Sequence, residues 1–147
     1  MKIVCAESLS QSYQSAYQLF CLHRERPWSY ELFTKTINNN HAIFALINEQ
    51  VVGYAIFSVV CNEGELEDIC VSPQHREKGI AAALLNEMLE QCKALDSQYV
   101  LLEVNQHNEA ALALYAALKF EQVGVRKNYY AHANGSYSNA LVMRHML

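Results

Sequence analysis

The stretch Val71–Leu85, which reads VSPQHREKGIAAALL, decides the fold of this 147-residue chain. It leads from the end of an apolar strand, through a polar loop, into a helix that opens with Gly79 and small residues. The amides and the positive dipole end of such a helix bind phosphate well, and Gly79 and Ala81 leave the backbone open to close approach. Spacing alone also allows an ordinary strand–loop–helix junction, in which Arg76 and Lys78 are simply solvated. The stretch lacks the glycine spacing of a P-loop or of the dinucleotide-binding fingerprint.

Strand and helix patterns alternate on both sides of this stretch. Apolar runs rich in β-branched and aromatic residues predict strands, and apolar residues recurring every three or four positions predict helices. The predicted order is βααβββαβαββ: strand Lys2–Cys5, helix Ser12–His23, a helix with Ser29 as its N-cap that runs through Asn38, strands Ala42–Ile47, Val51–Val60 and Glu65–Val71, helix Gly79–Leu95, strand Tyr99–Val104, helix Asn108–Leu118, and strands Phe120–Tyr129 and Ser138–His145. We therefore expect a single domain, residues 1–147, with an α/β fold in which helices cover both faces of a mixed central sheet. The nearly all-apolar strand Tyr99–Val104 is expected to be buried on both faces.

Composition narrows the class of protein further. Hydrophobic residues make up 52% of the chain and charged residues 18%, which excludes intrinsic disorder. The net charge of −4 argues against general binding to nucleic acid, and the lack of a long apolar run argues against a signal peptide, a transmembrane helix or a membrane partner. The five cysteines are scattered without a Cys-x-x-Cys pair, so we expect no disulfide framework, no metal site and a reducing, cytoplasmic compartment.

Two sequence motifs, separated by the distance that is typical of one known family, carry a family resemblance. Arg76–Ala81, which reads REKGIA, matches the acetyl-CoA signature Arg/Gln-x-x-Gly-x-Gly/Ala. Residues 101–120, LLEVNQHNEAALALYAALKF, match a second cofactor motif, Leu-Glu-Val…Asn-x-x-Ala-x-x-Leu-Tyr-x-x-x-Gly-Phe. On these motifs the chain resembles the GCN5-related N-acetyltransferase superfamily, and Pro27–Ser29 and Asn128–Tyr130 resemble its ribosomal-protein alanine N-acetyltransferase branch. Lys119 stands where the family usually has Gly, at a helix end that often needs a left-handed backbone, so we expect local strain there.

The resemblance implies how acetyl-CoA is bound, and it implies no metal. Two parallel strands, ending at Val71 and Val104, would splay apart, with acetyl-CoA in the gap at their carboxyl ends. The backbone of Ile69, Cys70 and Val71 would pair with the pantetheine arm like an added strand, which places the Cys70 thiol beside the thioester. Asn108 would hydrogen-bond the cofactor. The amides that would cradle the pyrophosphate are those of Glu77, Lys78, Gly79, Ile80, Ala81 and Ala82.

Acetyl transfer to an amine also needs groups that move protons. The resemblance makes Glu103 the general base, acting through a water, and its neighbours Leu102 and Val104 predict the apolar setting that suits a carboxylate base. The resemblance also makes Tyr115, on the helix of the second motif, the acid that protonates the departing thiolate. The ordinary alternatives are a strand-end acid that faces solvent and an aromatic residue that only packs. A backbone N–H near Val71 is expected to stabilise the oxyanion.

The motifs indicate the co-substrate more directly than they indicate the amine that accepts the acetyl group. The branch resemblance favours direct attack by the α-amine of an N-terminal alanine on a basic small-subunit ribosomal protein. An acidic cluster is either a solvated turn or a steering surface for that terminus; its members are Glu63, Glu65, Glu67 and Asp68. Trp28 and Tyr130 are either walls of the acceptor pocket or core residues. A small-molecule amine, a protein lysine and a non-catalytic acetyl-CoA-binding module remain alternatives, since a fold does not fix the acceptor.

Overall fold

The computed structural model describes residues 1–147, and its elements follow the predicted order βααβββαβαββ, with short 3₁₀ turns at Ala6–Ser8 and Pro73–His75. The strands are β1 (Lys2–Cys5), β2 (His41–Ile47), β3 (Gln50–Val60), β4 (Glu63–Val71), β5 (Tyr99–Asn105), β6 (Glu121–Ala131) and β7 (Tyr137–Met146). The helices are α1 (Gln14–Leu22), α2 (Tyr30–Asn39), α3 (Ile80–Ala94) and α4 (Glu109–Ala117). Ser29 caps α2 as predicted, because its hydroxyl accepts a hydrogen bond from the Leu32 amide at 3.2 Å.

The strands form one seven-stranded mixed sheet in the order β1-β2-β3-β4-β5-β7-β6, which confirms the predicted α/β class. Antiparallel ladders join β1 to β2, β2 to β3, β5 to β7 and β6 to β7. β4 and β5 pair in parallel through Glu63–Glu65 and Tyr99–Leu101, so this ladder uses the first residues of each strand. None of the helices combines the length and the apolar character that crossing a membrane requires.

Residues group by their contacts into two units, which we describe separately. The first unit consists of Met1–Ser58 with Glu67–Gln91, and the second consists of Val59–Leu66 with Cys92–Leu147. The core of the first unit is formed by residues of α1, α2 and the strands β2 to β4; its largest members include Phe20, Phe33, Ile37, Phe44, Tyr54 and Ile56. Burial of such side chains is the main favourable contribution to folding.

Helices cover both faces of the sheet in the first unit, as the sequence predicts. Tyr54 on β3 meets Phe33 of α2 edge-on, with ring centroids 5.7 Å apart. The preceding residue, Gly53, faces the other side of the strand, where Leu84 and Ile80 of α3 are the nearest side chains. The two adjacent positions therefore contact helices on opposite faces.

In the second unit β5 has one buried face and one half-buried face, so the expectation that it is buried on both faces is wrong. The buried residues are Val100, Leu102 and Val104, and the half-buried residues are Tyr99, Leu101, Glu103 and Asn105. Side chains of a strand alternate between the two faces of a sheet, and here the more open face happens to carry the apolar Leu101. That leucine extends the apolar run in the sequence without extending the core.

α4 ends in a Schellman motif built on Lys119. The Phe120 amide donates to the Tyr115 carbonyl at 2.9 Å, and the Lys119 amide donates to the Ala116 carbonyl at 3.0 Å. This pattern requires a left-handed residue after the helix, and Lys119 has a φ of 69°, as the sequence predicts. The turn packs the Phe120 ring against Tyr115, with centroids 5.8 Å apart, and so fixes that tyrosine. A lysine in this conformation costs about 1 kcal/mol relative to glycine, because its Cβ crowds the backbone.

Replacing Lys119 by Gly should raise the free energy of unfolding by about 1 kcal/mol, because glycine adopts a left-handed φ without steric cost. Urea denaturation of the variant and the wild type measures the difference. The matched control is Lys93→Gly in the last turn of α3, where glycine should lower stability by about 1 kcal/mol. A Lys119→Gly protein no more stable than the wild type, beside a destabilised control, would contradict the proposed strain.

Candidate active site

The loop that joins β4 to α3 is held at its start by hydrogen bonds. The Ser72 amide donates to the Val52 carbonyl at 2.8 Å, and the Ser72 hydroxyl donates to Gln74 Oε1 at 2.6 Å. The 3₁₀ turn Pro73–His75 follows, with Nδ1 of its histidine buried and without a hydrogen-bond partner. Residues 76–79 are then exposed. The first four residues of the acetyl-CoA signature are therefore exposed.

The backbone after this turn has the geometry of an anion site. Glu77 and Gly79 have φ values of 60° and 77°, and a Cβ at Gly79 would meet nothing within 4 Å. The first helical hydrogen bond of α3 runs from the Ala83 amide to the Gly79 carbonyl at 3.0 Å. The amides of residues 80–82 precede this bond, so they have no carbonyl to meet inside the helix. Such amides suit the phosphates of acetyl-CoA, and the loop fits the cradle that the sequence predicts.

Cys70 is the buried residue at the carboxyl end of β4, whereas its neighbours Ile69 and Val71 are half-buried. Its thiol donates to the Leu19 carbonyl at 3.5 Å. Burial, followed by the charge of Asp68, raises the pKa of the Cys70 thiol to about 12. A thiol that stays protonated at neutral pH is a poor nucleophile, which favours direct attack of the amine over a covalent acetyl-cysteine.

The acidic cluster on β4 separates onto two faces, so grouping Asp68 with the three glutamates is wrong. The glutamates at 63, 65 and 67 are exposed, and Asp68 is buried on the other face because side chains alternate along a strand. Asp68 Oδ1 accepts from Arg24, and its Oδ2 accepts from the Tyr54 hydroxyl at 2.6 Å. Burial and then the charge of Asp68 raise the pKa of Tyr54 well above its ordinary value. Asp68 is thus a buried, fully engaged partner of an arginine and a tyrosine.

A second polar contact joins the segment between α1 and α2 to the loop between β4 and α3. Arg76 Nη2 lies 3.3 Å from both ring nitrogens of His23. Burial, followed by the charges of Arg76 and Arg24, lowers the pKa of His23, so the ring is neutral at neutral pH. The sequence does not reveal this link or the one from Arg24 to Asp68, because their partners lie far apart in the chain and follow no periodic spacing.

Glu103 lies on the half-buried face of β5, and its surroundings differ from the apolar setting that the sequence predicts. Leu102 and Val104 are buried on the opposite face, because neighbouring side chains of a strand alternate. The Glu103 side chain is 20% exposed, and its Oε1 forms an ion pair with Arg126, 2.9 Å from Nε. An ion pair this open to solvent contributes at most about 1 kcal/mol to folding, so its importance lies in where it holds the carboxylate. The sequence does not indicate Arg126 as a partner, because only the strand register brings it to Glu103.

α4 carries the remaining predicted residues. Asn108 Oδ1 accepts from the Ala111 amide at 3.2 Å, so the carboxamide oxygen caps the helix and its Nδ2 is the donor left for a cofactor. Tyr115 is 5% exposed and packs against Phe120. Glu103, Asn108 and Tyr115 therefore belong to the second unit, and the loop between β4 and α3 belongs to the first.

Trp28 and Tyr130, the two aromatic residues predicted either to line the acceptor pocket or to lie in the core, each pack against another ring and stay partly exposed. Trp28 is 39% exposed, and its ring packs on Phe20 with centroids 5.1 Å apart. Tyr130 is half-buried and meets Tyr129 edge-on, also at 5.1 Å. No three His, Cys, Asp or Glu side chains are grouped so that they would hold a metal ion.

Residues 6–120 match the model of the acetyltransferase (GNAT) family. A [ribosomal protein bS18]-alanine N-acetyltransferase from Haemophilus influenzae is 34% identical over 118 residues, which cover 80% of this chain and 80% of the relative. The protein of the same name from Escherichia coli is 32% identical over 118 residues, covering 80% of this chain and 79% of the relative.

Solved structures agree with the sequence relatives. The crystal structure of the ribosomal-protein-S18-alanine N-acetyltransferase from Escherichia coli has a TM-score of 0.85 to this chain, at 26% identity, and covers 97% of this chain and 92% of its own. A Bacillus subtilis acetyltransferase in complex with CoA has a TM-score of 0.82 over 99% of this chain and 98% of its own; at 15% identity it shows likeness of fold alone.

The family match runs from the first turn of the chain to the end of the second cofactor motif, and it includes the loop between β4 and α3, Glu103 and Tyr115. The relatives that share this region are named as N-acetyltransferases. The loop at the start of α3 has the unpaired amides that the phosphates of the co-substrate need. The chain therefore belongs to the acetyltransferase (GNAT) family and is an N-acetyltransferase that uses acetyl-CoA.

Proposed function

We propose that the acceptor is the α-amine of an N-terminal alanine on a basic small-subunit ribosomal protein. The observation that carries this proposal is the pair of bacterial relatives named for alanine acetylation of ribosomal protein bS18, at 34% and 32% identity over 80% of this chain. The short motifs at Pro27–Ser29 and Asn128–Tyr130, which resemble the same branch, support it. In this proposal residues 1–147 act as one catalytic domain.

Charge supports a basic peptide as the partner. The chain has a net charge of −4, and Glu63, Glu65 and Glu67 form an exposed row along one face of β4. Such a row attracts a positively charged terminus and speeds its encounter. The same charge opposes binding to the phosphates of ribosomal RNA, so we infer that the ribosomal protein is met free, in the cytoplasm, where the five unpaired cysteines stay reduced.

An α-amine is a suitable acceptor because it needs little activation. Its pKa in model peptides is about 7.7–8.0, whereas that of lysine is about 10.4, so far more of the α-amine is neutral at pH 7. In the proposed reaction Glu103 takes the proton of the ammonium group through a water. The nitrogen lone pair is then free to attack the thioester carbon directly, without an acyl-enzyme, since the Cys70 thiol stays protonated.

The other proposed roles are those that the family resemblance implies. The amides of residues 77–82 hold the pyrophosphate, and the backbone of Ile69, Cys70 and Val71 pairs with the pantetheine arm. An N–H near Val71 stabilises the oxyanion, and Asn108 Nδ2 donates to the co-substrate. The Tyr115 hydroxyl protonates the departing thiolate as the C–S bond breaks. The nitrogen of the new amide releases its second proton to solvent, from which the tyrosine is reprotonated. Acetyl-CoA itself supplies the acetyl group in activated form, as a thioester.

The acceptor is tested with a panel of amines. A peptide that begins Ala-Arg-Tyr should gain one acetyl group on its terminal nitrogen in the presence of acetyl-CoA, because its α-amine is partly neutral and its arginine suits the acidic row. Intact-mass and fragmentation mass spectrometry locate the group. The matched control is the same peptide with a blocked N-terminus and an added internal lysine, which should stay unmodified. Transfer to lysine or spermidine with the alanine peptide untouched would overturn the proposed acceptor.

The proton-transfer roles are tested by Glu103→Gln and Tyr115→Phe. Each variant should lower kcat by about 10²-fold, because each removes a proton-transfer group and keeps the shape of the side chain. The Kd for CoA, measured by calorimetry, should stay unchanged, since neither side chain is proposed to hold the co-substrate.

The controls for this pair are Glu121→Gln and Tyr137→Phe, the same substitutions at exposed positions of β6 and β7. Both should keep the wild-type kcat. Full turnover in Glu103→Gln and Tyr115→Phe would show that the two roles are wrongly assigned.

A further inference from the structure

Arg126 reaches Glu103 diagonally across the strand that separates them. Glu103 on β5 pairs with Val142 of β7, and Gly124 on β6 pairs with the same valine from the other side. Arg126 pairs with Ala140, two positions further along β7. Directly paired residues share a face of the sheet, and so do residues two apart in one strand. Glu103 and Arg126 therefore project from the same face.

Two of the residues beside this diagonal are small, and the guanidinium is anchored on two sides. Gly124 has no side chain, and Ala140 offers only a methyl group, which is fully buried. On one side Arg126 Nε lies 2.9 Å from Glu103 Oε1. On the other side its Cζ lies 5.4 Å from the centroid of the Tyr129 ring, within cation–π range.

We propose that Arg126 is a positioning residue for acetyl transfer, which orients Glu103 so that Oε2 takes the proton of the acceptor amine. This inference rests on the proposed role of Glu103 as the general base. The ion pair with Nε uses Oε1 and leaves Oε2 for the proton, which comes from the ammonium nitrogen through one water. Arginine stays protonated at neutral pH, so it cannot take the proton itself and acts through the glutamate.

The need for such a partner follows from the freedom of a glutamate side chain. Glu103 has three rotatable side-chain bonds and lies on the more open face of β5. Without a fixed partner its carboxylate would sample several rotamers, and only some of them direct an oxygen at the acceptor. A general base acts efficiently only within hydrogen-bond reach of the proton, so a loss of orientation lowers kcat without changing how acetyl-CoA is held.

A double-mutant cycle tests the proposal. Arg126→Gln should lower kcat by about tenfold, with the KM for acetyl-CoA within about twofold of the wild type, because a misplaced base affects chemistry more than binding. In a Glu103→Gln background the same substitution should have no further effect on kcat, since there is no carboxylate left to orient. Arg126→Lys should restore part of the loss, because an ammonium still pairs with Oε1 but lacks the planar fork.

The matched control is Lys127→Gln, the next residue of β6 and also a cation, which should keep the wild-type kcat in both backgrounds. Thermal unfolding of every variant separates a loss of fold from a loss of orientation. Should Arg126→Gln fail to fold, the same cycle is run with Arg126→Lys, which keeps the charge and most of the contacts. An equal loss of kcat with and without the Glu103 carboxylate would overturn the proposal, and so would wild-type kcat in Arg126→Gln.

The assay uses whichever amine of the acceptor panel the wild-type protein acetylates fastest, so that the two proposals fail in different ways. Acetylation of an amine other than the N-terminal alanine counts against the proposed acceptor and still allows the cycle. If the effects of the Arg126 and Glu103 substitutions on kcat are additive, the result counts against the proposed role of Arg126, whichever amine is the acceptor.

Discussion

The short parallel ladder that pairs Glu63–Glu65 of β4 with Tyr99–Leu101 of β5 is the constraint on which the rest depends. Two consecutive parallel strands cannot be joined by a hairpin, so the chain must cross over, and α3 is that crossover. The ladder is tight: a Cβ at Gly64 would lie 2.9 Å from Cys92 Sγ and 3.0 Å from the Val100 side chain. A larger residue there would push the ladder away from the end of the crossover helix.

The crossover also explains the place of the loop between β4 and α3, which we propose holds the phosphates of acetyl-CoA. A helix that follows a parallel strand begins at the carboxyl end of that strand, and this edge of an α/β sheet is where ligands bind. The loop reaches the helix through two left-handed residues, Glu77 and Gly79, with φ values of 60° and 77°. Lys119 is likewise left-handed. At the end of α4 its φ of 69° allows the turn that packs Phe120 against Tyr115 and so fixes that tyrosine. The left-handed residues at these two places therefore lie beside residues with a proposed role.

Much of the fold could be predicted because its signals are local. Helix periodicity, the Ser29 cap and the left-handed position at Lys119 depend on residues within a few positions of one another, and the structure confirms them. The loop of residues 76–82 was also visible, since a strand followed by a small-residue helix start is a local pattern. The chain order of strands and helices then defined the class of fold.

The environment of the proposed catalytic groups depends on side-chain alternation along each strand, which the prediction left out, and on strand register, which the sequence does not show. Leu102 and Val104 flank Glu103 in the sequence, but alternation places them on the other face of β5. Asp68 stands beside exposed glutamates in the sequence and is buried for the same reason. The true neighbour of Glu103 is Arg126, which only the pairing of β5, β7 and β6 brings near.

The central claim is that Glu103, held by Arg126, takes the proton from an N-terminal alanine. A crystal structure with a bisubstrate compound, CoA joined through its acetyl group to the nitrogen of an Ala-Arg peptide, tests this claim most directly. The account predicts that the alanine nitrogen lies within about 3.2 Å of Glu103 Oε2, or is joined to it by a single water, while Oε1 keeps its ion pair with Arg126. An alanine nitrogen with neither contact, or a Glu103 that has left Arg126 to point elsewhere, would contradict it.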